Sequence, residues 1–500
     1  MELIKIMNLQ GEIQTIREKI ASKTVNDFIF LGYLCMLFIL TVARFVLHRL
    51  GIDAGVGRQV ILTVLASIPL CALIISASKD QMKKYLPAFV LYAAVLALIG
   101  LTYLFVPSSR YFITRDSFGI VRVLRPDCAL YAFLFFFCID NIDDLLDDLH
   151  IYAYLYMAYL TIAELIPALI AGGWSDIGPN GKLIYLSYSL TFGYTMLLPT
   201  VILARSYVTG GSKIDGVCTV FGYWAIVTNG NRGAFILFAG FALLLGLDYV
   251  RHLRNKGERI QSYLILAGFC LAFLVMKEPV VLLGLIFFSR VLAADKLSEA
   301  GKYVGYIILS ILIYLFITRV AVPKVLSLYL KITNPGLDED AAAKAISGVT
   351  SSRTQEMLKT GDFQQNNGRK DIWGAVIGAI KTGGIFGRGF FGERPFVFPL
   401  HTAAYSHNII LEIISGYGIF GLAMLLYIAR DIVSMLLLCQ DIRYRQVYLI
   451  FFIVSCQLLL SMSFWYVFDF WAAASIAYQY RHAHPEEFKR IRVFRGKAVK

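Results

Sequence analysis

Apolar runs of roughly 17 to 23 residues recur along the chain between short polar segments, and each is about as long as a helix must be to cross a bilayer. None alternates with the period of two that a barrel strand would show, so the pattern predicts helices throughout. The spans read 28–47, 59–77 and 85–106, then 151–171, 183–204, 216–228, 235–250, 260–276, 280–293 and 304–317, and finally 407–429, 447–462 and 464–478. A shorter run, 128–139, adds a span if 118–124 dips into the membrane with it. The expectation is an all-α polytopic integral membrane protein with about 14 transmembrane helices.

Two segments break the rhythm. Near the start, Ile6, Leu9, Ile13, Ile16 and Ile20 recur three or four apart with charges between them, as in an amphipathic helix on the cytoplasmic membrane face. Residues 318–406 form one large exterior loop, far longer than a connector needs, and ordered loops of that length usually carry function. Inside it, Ile372, Trp373, Val376, Ile377 and Ile380 make an apolar stripe that predicts a helix lying against the membrane surface. The chain thus divides into a cytoplasmic segment 1–27, helices over 28–317, the loop 318–406, helices over 407–480 and a basic cytoplasmic tail 481–500.

Composition agrees, with 58% apolar and 16% charged residues, too apolar for a water-soluble globule. The net charge of +13 speaks first to topology, because Lys and Arg mark cytoplasmic loops. With the N-terminus inside, those loops hold roughly 26 basic residues against about 10 outside once the long loop is set aside. Both termini are therefore expected in the cytoplasm, and no nucleic-acid partner is implied. Residues 107–127, with Arg110, Arg115, Arg122 and Arg125, run against that sorting. The 8 cysteines fall within or beside apolar runs, which implies neither a disulfide framework nor a metal site, and no cleavable leader is expected.

Several patterns look chemical and have plainer readings. Asp143, Asp144, Asp147 and Asp148 read as a solvated helix face, and Asp338, Glu339 and Asp340 as a helix N-terminus, so no metal is expected. Gly416 to Gly421 fits GxGxxG but follows no strand, so its glycines are read as allowing close helix packing. Lys381 to Gly389 lacks the ending of a phosphate loop and reads as a flexible approach to His407. Acids within the spans are few, namely Glu164, Asp248, Glu412 and Asp469, which counts against proton-coupled transport.

The candidate chemistry gathers between 368 and 421. His407 follows Ser406, a candidate N-cap, and opens an apolar helix whose dipole disfavours imidazolium, leaving a neutral base. Arg232 sits in the turn NGNRG, where Asn229, Gly230, Asn231 and Gly233 are turn formers. Arg369 and Arg388 lie in glycine-bordered stretches. Guanidinium forks grip phosphate oxygens two at a time, so arginines converging on an exterior cavity suggest a lipid-linked phosphate or pyrophosphate.

Three stretches, NGNRGAF, GRKDIW with the following IFGRGFFGE, and SHNIILEIISGYGIFGL, together resemble the O-antigen polymerase and O-antigen ligase superfamily of membrane-embedded enzymes. The resemblance implies a metal-independent, inverting glycosyltransferase of the bacterial inner membrane, working without a cofactor on an undecaprenyl-pyrophosphate-linked oligosaccharide. Its motifs would make His407 the catalytic base, with Arg232 and Arg369 on the pyrophosphate and Arg388 in support. Span count and loop size resemble the polymerase branch, which extends lipid-linked repeat units. The alternatives are a ligase that transfers the glycan to lipid A core and a lipid-linked oligosaccharide flippase. Membrane lipids and a chain-length regulator protein are the other expected partners.

Overall fold

The computed structural model describes residues 23–52, 56–115, 119–177, 183–186, 188–294, 312, 314–316, 320–333, 369–401 and 404–488. The expected amphipathic segment and the Asp338 to Asp340 motif lie outside them. In chain order the longer helices are α1 (Val25–Leu34), α2 (Met36–Arg49), α3 (Val56–Ser76), α4 (Lys79–Phe105) and α5 (Ile142–Leu160). After a short antiparallel pair, β1 (Trp174–Ile177) and β2 (Leu183–Leu186), come α6 (Leu190–Val208), α7 (Lys213–Asn229), α8 (Arg232–His252), α9 (Lys256–Met276), α10 (Leu283–Ala293) and α11 (Val322–Thr333). The last are α12 (Arg369–Thr382), α13 (Ile409–Val433), α14 (Ile442–Ser455) and α15 (Phe468–Ala483).

Among the described residues 7 helices are long and apolar enough to cross a membrane, or 8 if α1 and α2, bent by 63°, make one span. Three expected spans take another form. Residues 183–186 pair with β1, so the helix there begins only at Leu190. The run 128–139 is broken into short turns around Ala132–Phe135, because it is a buried aromatic plug: Phe135 and Phe136 are shielded from solvent, and Ser475 and Gln479 of α15 donate to the Phe133 and Phe136 carbonyls. The last helix starts at Phe468, after a 3-10 turn at Phe464–Tyr466.

The chain forms two compact units, Met1–Ala21 with Leu149–Gln365 and Ser22–Asp148 with Asn366–Lys500. In the first, α6 packs along α7, and both meet α8. Local chemistry sets the ends of these helices. Ser212 and Asp215 form a capping box at the start of α7, and buried Asp215 also accepts from His150 and Ser206, each at 2.8 Å. In the second unit, α14 packs on α15 and α12 on α13. The aspartate run is only partly a solvated face: Asp143 pairs with Arg443 at 2.7 Å, whereas Asp148 is buried against Lys23 at 2.8 Å. A buried carboxylate needs such a partner to offset its lost hydration.

Candidate active site

Asn408 starts the helix that organises the second unit. Its side chain accepts from the Ile410 and Leu411 amides and so caps α13, while Ser406, the expected cap, instead bonds to the Asn408 backbone. His407 therefore lies just ahead of the helix, in the left-handed region at φ +52°. That conformation costs a non-glycine residue about 1 kcal/mol or more and persists where surroundings impose it, often at functional sites. It seats the imidazole 4.3 Å from the Tyr405 ring and 5.1 Å from the His401 ring, centroid to centroid.

The His407 Nε2 is buried and has no hydrogen-bond partner among the described residues. Burial pulls its pKa down to about 4, with the charges of His401 and Arg369 acting in the same direction. Desolvation is the largest cause of that shift, which favours the neutral imidazole. Arg369 is the first residue of α12 and is close enough for its charge to act on His407. The apolar stripe of α12 does not all face lipid: Ile372 and Val376 pack with Val397, Trp373 and Leu411, and Ile377 stays exposed. Packing against α13 is thus what fixes α12, and Arg369 with it.

The glycine-rich loop is pinned rather than free. The Arg388 amide donates to Ser415 O at 2.9 Å, the Gly389 amide to Gly416 O at 2.7 Å, and the Ile419 amide to Ile385 O at 2.9 Å. These bonds exist because α13 is interrupted at Gly418, whose φ of +52° and ψ of −123° belong to a turn and not to a helix. The helix therefore exposes backbone donors and acceptors that the loop takes up. A side chain on Gly387 would place its Cβ 2.5 Å from Gly416 O, and Gly416 and Gly418 in turn face the loop, whereas Gly421 packs on the Ile413 backbone. Farther along the loop, the Phe390 amide donates to the Thr102 hydroxyl of α4 at 2.9 Å. Arg388 folds back on α12, donating to Ala379 O at 3.1 Å and Thr382 Oγ1 at 2.5 Å and lying 4.5 Å over the Phe396 ring.

Beneath this loop lies a charged cluster whose assembly the sequence does not show. Arg394 is fully buried, lies 3.2 Å over the Phe391 ring, donates to the Tyr466 hydroxyl at 2.6 Å and sits 3.9 Å from Glu393. Burial raises the Glu393 carboxyl, with Arg394 pulling the other way. Glu412, in the first turn of α13, accepts from Ser463. Long-range packing assembles this group, whose sequence signals were Arg394 ahead of the apolar helix and Glu412 inside it.

In the other unit, Gly230 takes φ +76° to end α7, and the Asn231 side chain caps α8 by accepting from the Gly233 and Ala234 amides. Arg232 is thereby the first residue of α8. Gly233 is helical and not a turn former; any side chain there would collide with the Tyr194 hydroxyl.

Residues 217–426 match the family described as O-Antigen ligase. Over that stretch the chain is similar to the O-antigen ligase family. The match supports the resemblance to the O-antigen polymerase and ligase superfamily, and the long apolar helices fit a multi-pass membrane protein. The O-antigen ligase match takes in Arg232, Arg369, Arg388 and His407, whereas Arg122 and Tyr466 lie outside it. No curated protein and no solved structure matches the chain.

Proposed function

We propose that the protein polymerises undecaprenyl-pyrophosphate-linked repeat units into O-antigen or a related surface polysaccharide at the exterior face of the inner membrane. The observation that carries this reading is the buried, unpartnered Nε2 of His407 beside Tyr405 and His401, within reach of the Arg369 charge. A neutral imidazole can take the proton of the acceptor hydroxyl as its oxygen bonds to the anomeric carbon. The bond to pyrophosphate breaks with inversion, its electron pair stays on the departing pyrophosphate, and Arg369 stabilises the negative charge that develops there. Arg388, bound to the end of α12, holds the glycine loop in place in this scheme. The donor is already activated, so orientation and fixed positive charge supply most of the catalysis, and no metal is called for. The description of the matched family favours a second reading, ligation of the finished glycan to lipid A core.

Deleting the protein separates these readings. One repeat unit on lipid A core is the result expected for a polymerase, and core without any repeat would identify a ligase. Accumulated lipid-linked units on the cytoplasmic side would mark a flippase and refute the proposal.

The His407 environment also sets a pH profile. Below its pKa the imidazole is protonated and has no lone pair, so kcat/KM should fall as pH drops through about 4. Removing the neighbouring cation makes protonation easier, and Arg369→Gln should therefore shift that limb upward, toward the ordinary 6.5. Bound pyrophosphate acts likewise, placing the kcat limb at higher pH than the kcat/KM limb. Initial rates across acidic buffers check both points; an acid limb unmoved by Arg369→Gln would separate Arg369 from the base.

A further inference from the structure

The arginines of 107–127 ran against the charge sorting, and all four have partners in the structure. Arg110 donates to the Tyr103 and Leu104 carbonyls at 2.7 and 3.1 Å, Arg125 pairs with Asp127 at 2.7 Å, and Arg115 lies 5.6 Å over the Phe398 ring. Arg122 is different in what surrounds it. It is exposed, and its guanidinium lies 5.4 Å over the ring of Tyr466, whose hydroxyl Arg394 binds. Segment 459–466 runs along the first turn of α13, where the Leu459 carbonyl accepts from Asn408 and Ser463 donates to Glu412. The Arg122 charge also reaches the phenol of Tyr405, the ring tilted against that of His407.

We propose that Arg122 forms a second anion subsite beside His407, one that binds the pyrophosphate of the acceptor lipid. This inference rests on the polymerase reading, in which both substrates are lipid pyrophosphates presented at one membrane face. One pyrophosphate leaves and the other stays attached to the growing unit, so the two need separate cations. The Arg369 charge acts on His407 itself, and the Arg122 charge on Tyr405, whose ring lies 4.3 Å from that of His407. A guanidinium fork beside aromatic rings is suited to phosphate oxygens, which it binds two at a time.

The test is binding of undecaprenyl pyrophosphate to the full-length protein in phosphatidylethanolamine nanodiscs, read by native mass spectrometry. Wild type should bind two molecules. Arg122→Ala and Arg122→Gln should weaken one of them by about tenfold or more, with Arg122→Lys intermediate because it keeps charge and loses the fork. Arg369→Ala should spare the Arg122-dependent molecule. Binding of a single molecule by wild type, or unchanged binding in both Arg122 variants, would overturn the subsite. So would equal displacement of that molecule by phosphatidylglycerol, which would make Arg122 a headgroup contact. His407→Ala should still bind both lipids, so failure of the base assignment would show in turnover and leave this result untouched.

Discussion

Replacing His407 with alanine is expected to abolish chain growth while the protein inserts and accumulates as wild type does. A positioned base contributes roughly a hundredfold to ten-thousandfold in rate, enough to collapse a polymer ladder to single repeats. The side chain is not a structural linchpin: it lies ahead of α13, and the cap that starts the helix is Asn408. The backbone does impose a demand, since position 407 is held at φ +52°. His407→Asn therefore makes the sharper variant, because asparagine tolerates that conformation and cannot serve as the base. Both variants should show wild-type abundance and no long glycan on a gel. Normal-length glycan in either one would remove His407 from the chemistry.

Gly418→Ala should have the next largest effect, through structure and not through the proton. The residue sits at φ +52°, ψ −123°, a combination open almost only to glycine, and a side chain there would collide with the Ile385 carbonyl. Forcing a non-glycine residue into such a conformation costs of order 1–3 kcal/mol before the collision is counted. The chain can relieve both by straightening α13, which withdraws the Ile419 amide from Ile385 and the Ser415 and Gly416 carbonyls from Arg388 and Gly389. The expected result is a lower melting temperature in detergent, protease cleavage within the released loop, and loss of chain growth. Gly378→Ala is the control, because its added Cβ meets nothing within 4 Å. A stable, active Gly418→Ala protein would mean that the docked loop is dispensable.

Much of the site's inventory could be read from the residues, and little of its assembly. His407 and Arg369 stood out because polar residues just ahead of apolar helical stretches are conspicuous in a chain this hydrophobic. The helix of Arg369 was legible from the spacing of Ile372, Val376 and Ile380, since periodicity is a local property. What the stripe packs against was not legible, because Val397 and Leu411 reach it through the tertiary fold. The glycines of GYGIFG stood within a continuous apolar run, and hydropathy carries no sign of a helix interrupted at Gly418 and repaired by a loop some thirty residues earlier. The span at 128–139 misled for a similar reason: buried aromatic plugs and membrane helices are equally apolar, and only length separates them. Arg122 was visible chiefly as an irregularity in charge sorting, whose meaning depends on Tyr405 and Tyr466 lying beside it.

The central claim, that His407 takes the acceptor proton as arginine-held pyrophosphate departs, is tested most directly by a single-turnover reaction of the purified full-length protein. Synthetic undecaprenyl-pyrophosphate repeat units would be supplied in the presence of EDTA, and released undecaprenyl pyrophosphate counted against glycosidic bonds formed. The account predicts one lipid pyrophosphate released for each bond, at a rate that falls at least a hundredfold in His407→Ala. Equal release and bond formation by the wild-type and His407→Ala proteins would contradict it.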